Sequence, residues 1–242
     1  MRSLPILAGL ALAVAGRATA ADPSFSIPGV THDGLSAPLN VLLLLTSLTL
    51  IPAILVSLTP FLRITIVLHF LRQALGTQTA PSNQVLIGLA LFLSLVVMRP
   101  VLSDAYTQGW EKYKAGQLTQ SQAIDAGAKP IKTFFLKFTR ETDIALLIDI
   151  TKSGRPRNRE DLSVFVLAPA YMLSELRTGF QIGALLFFPF LIIDLVVASI
   201  TLSLGMVQLP PVMISAPLKI LLFVLVDGWN LVVGSLLRSF YT

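Results

Sequence analysis

Residues 35–62 form 28 consecutive positions without a charge, and residues 73–98 form another 26. Two further uncharged runs, 178–193 and 195–218, are separated only by Asp194. A helix needs roughly 20 predominantly apolar residues to cross a bilayer. Runs of this length therefore point to lipid or to dense helix-on-helix packing. Only 13% of the chain is charged, against about 25% in an ordinary soluble domain. Of the 31 charged residues, 18 fall between positions 103 and 163. The fold class this predicts is all-α, with two apolar, integral membrane-type helical hairpins flanking a soluble helical region.

The amino terminus reads as a secretory signal. Arg2 supplies a positive start, residues 4–15 an apolar stretch too short to span, and Ala18-Thr19-Ala20 a small-residue cleavage site. Cleavage is expected between Ala20 and Ala21. Arg17, just ahead of the site, leaves an uncleaved anchor as the alternative. The expected organisation is a signal peptide over 1–20, a flexible leader over 21–38, a first hairpin over 39–102, a soluble periplasmic region over 103–163 and a second hairpin over 164–242. The hairpin arms are read as 40–72 with 85–102 and 170–206 with 212–238. With the signal removed, the topology puts both termini and the charged region outside.

Within the charged region, Thr119-Gln-Ser-Gln122 has the pattern of a capping box. Pro130 suits the first turn of a following helix. Ile131, Phe134, Phe135 and Phe138 recur at helical spacing and define one apolar face.

Several function classes drop out. The chain has no cysteine, which removes disulfides, thiolate metal sites and a cysteine nucleophile. Its two histidines, His32 and His69, are far apart in sequence, and no cofactor is called for. Phosphate-loop, G-x-S-x-G and H-E-x-x-H patterns are absent from the sequence. The net charge of +5 is scattered rather than gathered in a basic stripe with interleaved aromatics, so nucleic acid is not an expected partner.

The informative positions are isolated charges in apolar helices. Each costs about 2.5–3.5 kcal/mol at a helix centre on insertion scales. Asp194, Lys219 and Asp227 are such charges, and together with Arg63 they are expected to be buried, for pairing or assembly. Asp194 and Lys219 lie at comparable heights on the two arms of the second hairpin and are expected to pair. The alternative is a small secondary transporter or ion channel with Asp194 and Asp227 in its pathway. Arg63 and Arg99, alike in charge, suit membrane-edge or inter-subunit roles. Pro52, Pro60 and Pro189 are expected to bend apolar helices. Gly179 and Gly183 form a small-xxx-small pair that permits close helix approach.

Three segments go further. The first runs from Leu48-Thr-Leu-Ile-Pro-Ala-Ile-Leu55 through Arg63 and Leu71-Arg-Gln-Ala-Leu-Gly76 to Pro81-Ser-Asn-Gln-Val-Leu-Ile-Gly-Leu-Ala-Leu-Phe-Leu93. The second joins Pro169-Ala-Tyr-Met-Leu-Ser-Glu-Leu-Arg177, Phe180-Gln-Ile-Gly183 and Pro189-Phe-Leu-Ile-Ile-Asp-Leu195. The third is Phe223-Val-Leu-Val-Asp-Gly-Trp229. In this order they resemble the FliP family of flagellar export-gate subunits, over about residues 46–239.

The resemblance implies a homo-oligomer, a pentamer, staggered helically with FliQ-like and FliR-like subunits and other membrane proteins of the export apparatus. Such an assembly surrounds a path for unfolded flagellar export substrates in the inner membrane and basal body, largely above the plane of the bilayer. It also directs attention to the turn Gly205, Met206, Val207, Gln208, Leu209, Pro210, Pro211 as a gate loop. Gly205 allows a sharp exit from the helix, and Pro210-Pro211 enforces extended backbone before the next one. The family's turn is methionine-rich, whereas this one carries a single Met206 with Gln208 nearby, a composition expected to give a wetter seal.

Overall fold

A computed structural model describes residues 37–77, 79–152, 158–206 and 210–241. Among them every regular element is helical: α1 Ala37–Ser57, α2 Phe61–Ala74, α3 Asn83–Ala105, α4 Gln120–Phe138, α5 Glu141–Thr151, α6 Val164–Ser203, α7 Val212–Leu225 and α8 Gly228–Tyr241. A π-helical turn, Tyr106–Glu111, extends α3, and a 3-10 turn, Arg159–Asp161, precedes α6. The all-α class expected from the uncharged runs is the class observed.

The chain divides into two units, residues 1–49 and 50–242. The described part of the first is the amino-terminal portion of α1. It exposes Leu42, Leu45 and Leu48, and the Thr46 hydroxyl donates to the Leu42 carbonyl at 2.8 Å.

In the second unit, the arm expected over 40–72 is two helices rather than one bent helix. The break falls at 58–60. Pro60 has no N–H to give, and its ring excludes the carbonyl four residues back, so α2 begins afresh at Phe61. Pro52, by contrast, is inside α1. Pro130 likewise lies well inside α4, not at a helix start. The Thr119 capping box is present at the start of α4, with Gln122 N–H donating to Thr119 Oγ1 and Thr119 N–H to Gln122 Oε1.

α2 is the centre of the unit. Ile64, Val67 and Leu71 are fully buried. The helix packs chiefly on α6 and also on α3. Close approach to α6 runs through the glycine pair. A β-carbon at Gly179 would lie 3.2 Å from Ile66, and one at Gly183 would lie 2.6 Å from the Phe70 ring. The small-xxx-small spacing is thus a true helix crossing.

Around α2 the core draws on Ala90 and Val97 from α3, Phe134 and Phe135 from α4, Ile144 from α5, Leu167 and Tyr171 from α6, and Leu236 and Phe240 from α8, while Phe223 of α7 packs separately with Leu71 and Leu75. The apolar face read on α4 does its work here. Phe135 stacks on Tyr171 with centroids 4.7 Å apart.

Four spans were expected. Two helical runs, 83–114 and Val164–Ser203, are long and apolar enough to cross a membrane, and α7 with α8 forms a third candidate bent by 67°. At about 1.5 Å per residue, the 40 residues of α6 reach roughly 60 Å, twice the hydrocarbon thickness. Its halves accordingly differ. The first half carries Val166, Leu167, Ala170, Tyr171, Ser174 and Glu175 into the core, while the second exposes Leu185, Phe188, Leu195 and Ile200.

Candidate functional site

Arg63 projects from the first turn of α2, where its side chain is 4% exposed, and meets Glu175 of α6, which is 0% exposed. Nε donates to Glu175 Oε2 at 2.9 Å, and a terminal nitrogen donates to Oε1. The remaining terminal nitrogen donates to Ser239 Oγ at 3.2 Å. The guanidinium also lies over the Phe240 ring, 4.1 Å from its centroid, with Phe138 at 5.5 Å. One cation thereby binds α2, α4, α6 and α8. The planar fork of arginine is suited to this, because it serves a carboxylate bidentately and still stacks on aromatic faces. Arg63, expected as a buried charge for pairing or assembly, is buried and paired within its own chain, away from the membrane-edge or inter-subunit place weighed for it.

Sequence reasoning missed Glu175 as its partner. The spacing of Leu167, Tyr171, Ser174 and Glu175 puts Glu175 on the stripe that α6 turns inward, where a carboxylate needs a cation, but it does not say which one.

A second buried network ties α5 to α6. The Ser174 hydroxyl donates to Asp143 Oδ2 at 2.6 Å and accepts the Arg140 backbone N–H at 3.0 Å. Arg177 stands 3.6 Å from the other Asp143 oxygen.

The third constellation flanks the 205–211 turn. Lys219 of α7 is buried, and its Nζ lies 2.5 Å from Asp194 Oδ2 of α6. The ammonium also donates to the Ala74 carbonyl at the end of α2, at 3.0 Å. The Ser215 hydroxyl donates to the other Asp194 oxygen at 2.7 Å. The buried ammonium thus has a carboxylate and a carbonyl as partners, while the Asp194 carboxylate remains partly open to the surroundings.

Above this pair, α6 ends as its sequence requires. Gly205 takes φ +74°, and Met206 N–H closes back on the Thr201 carbonyl. Pro210 and Pro211 precede α7. Val207, Gln208 and Leu209 lie outside the described residues, as do Ala20 and Ala21 at the expected cleavage site.

Asp227 differs from its expected place among the buried charges. It is exposed, at the break between α7 and α8, with φ +51°. Asn230 donates to its carboxylate at 3.1 Å. The next residue, Gly228, has no room for a β-carbon, which would lie 2.3 Å from the Phe223 ring. Phe223 thus fills the space beside Gly228 at the break, and Asp227, in the left-handed region, stands on the surface.

No cluster of three or more His, Asp or Glu able to hold a metal is found among the described residues. Apolar helices clamped by internal ion pairs, with wide apolar surface left uncovered, define a structural membrane-type helical subunit. The chain belongs to the FliP family, whose model matches residues 44–236. It is 50% identical over 223 residues to the flagellar biosynthetic protein FliP of Pectobacterium carotovorum, covering 89% of this chain and 86% of that protein. It is 48% identical over 208 residues to the FliP of Bacillus subtilis, covering 86% and 94%. With the FliP of Caulobacter vibrioides it shares 43% identity over 238 residues, covering 98% and 90%. As a member of this family it is a non-enzymatic component of the flagellar export apparatus.

Proposed function

We propose that the chain is a pore-forming structural subunit of the flagellar type III protein export gate. Five copies assemble with FliQ-like and FliR-like subunits and surround the route taken by unfolded flagellar substrates. The observation that carries this reading is the family match across residues 44–236, joined to the apolar surface of α3, α6 and α7. Phe92, Leu185, Phe188, Met213 and Leu225 stand open on these helices, and large exposed apolar surface marks protein or membrane contact.

In this reading the turn 205–211 narrows the path. Gly205, Met206, Val207, Gln208, Leu209, Pro210 and Pro211 join two helices that Asp194 and Lys219 hold together beneath it. A mostly apolar constriction blocks ions by dewetting and yields to a polypeptide through its unbranched Met206 and Gln208 side chains. The protein resides in the inner membrane and basal body, faces mainly the periplasm, and loses its signal at Ala20. Residues 39–102 and 164–242 supply its apolar packing surfaces, and 103–163 its water-facing part.

A transporter pathway through Asp194 and Asp227 is not favoured. The first carboxylate is occupied by Lys219 and Ser215, and the second is on the surface. Deletion of residues 206–209 tests the gate. Ion leak across the membrane should rise and export of flagellar substrates should change. Unchanged leak together with unchanged export would leave the turn a simple connector.

A further inference from the structure

A groove of about 400 Å³ lies between α3, α4 and the end of α8. Its floor is apolar: Val97 and Val101 from α3, Phe134 and Phe138 from α4, Phe240 from α8. One lip is the α4 ridge Lys129, Thr133, Lys137, while Asp104 and Gln108 line the groove from α3 and the turn that extends it. The three ridge residues are spaced four apart, so they stand in a row along the helix surface. All three are exposed, and neither lysine forms an ion pair among the described residues. A ligand for this groove is elongated, apolar on its underside and acidic on one edge.

The same chain exposes such an element elsewhere. α5 packs on α6 through Asp143 and Ile144. Its other face leaves Leu146 48% and Ile150 66% exposed, with the exposed Asp149 between them. Positions 146, 149 and 150 share one side of a helix. Asp149 forms no ion pair among the described residues. None of these residues lines the groove, so donor and acceptor are separate surfaces of one molecule.

We infer that α5 of one copy docks in the α3–α4–α8 groove of a second copy. Leu146 and Ile150 lie on the apolar floor, and Asp149 faces the Lys129–Lys137 lip. Two different surfaces that complement each other make a head-to-tail contact, which repeats around a ring or along a helical stack. The inference rests on the self-assembly stated above and specifies the contact that builds it.

The absence of cysteine from the chain makes the test direct. Thr133→Cys and Ile150→Cys are introduced singly and together into the full-length protein, and membranes are oxidised. The double variant should give a ladder of disulfide-linked dimers and larger multimers, and each single variant none. Self-linking of Ile150→Cys alone would place α5 against α5 and overturn the inference. Light scattering of the detergent-solubilised protein separates the two levels of failure. A multimer whose double variant does not link removes this interface and leaves self-assembly standing. A protein that is only monomeric removes both. Asp149→Lys should weaken the multimer about tenfold or more through like-charge contact. Adding Lys129→Glu and Lys137→Glu should recover it, and failure to recover counts against the charge register.

Discussion

Arg63 and Glu175, 112 residues apart in sequence, share a two-pronged hydrogen bond in the interior of the protein. The pair also positions Phe240 and Ser239, so the end of the chain is fastened to helices formed much earlier. Burial makes the pair unforgiving, because removing one partner strands the other charge without water.

Glu175→Gln and Arg63→Met should each lower stability by about 3–5 kcal/mol, the usual consequence of breaking a buried pair. The double substitution Arg63→Met with Glu175→Leu should recover part of that loss, since no lone charge remains. Thermal unfolding in detergent measures all three. A double variant less stable than both singles would show that the pair is not the source of the effect.

Asp194 and Lys219 should couple in the same manner while reporting on assembly. Asp194→Asn and Lys219→Met are expected to reduce the yield of assembled complex. The combined variant should assemble better than the worse single, and an additive loss would argue against coupling. Asp194→Asn should be the more harmful single, because it leaves the buried Lys219 ammonium without its countercharge, whereas Asp194 is partly exposed and keeps the Ser215 hydroxyl.

Gly183→Ala places a methyl group 2.6 Å from the Phe70 ring. Overpacking of this kind costs about 1–3 kcal/mol. Gly88→Ala, in α3 with nothing within 4 Å of its added carbon, should instead stabilise by up to about 1 kcal/mol through helix propensity. Chemical denaturation of the two variants side by side distinguishes close packing from a general intolerance of substitution.

Amino-terminal sequencing of the membrane-bound protein should begin at Ala21. Recovery of intact Met1 would favour the anchor alternative suggested by Arg17 and would invert the topology built on cleavage.

The long uncharged runs determined that this chain is helical and apolar, because hydrophobicity and helix length are local properties. The capping box at Thr119 was legible for the same reason: its hydrogen bonds close within four residues. Gly179 and Gly183 announced a close crossing, and Asp194 with Lys219 could be matched across one short turn. The partner of Arg63 was not legible. Spacing along one helix says which face a residue occupies but not which distant helix arrives there, and Glu175 comes from a segment beyond the whole charged region. Pro60 and Pro130 make the same point at the backbone. Both remove a donor, yet one divides a helix and the other sits inside one. Asp227 was read as buried because its neighbours are apolar. The tertiary structure breaks the helix there by 67°, with Gly228 against Phe223, and that carboxylate is on the surface. Burial of a charge is decided by what packs on it, and in this protein that packing is contributed by residues far along the chain.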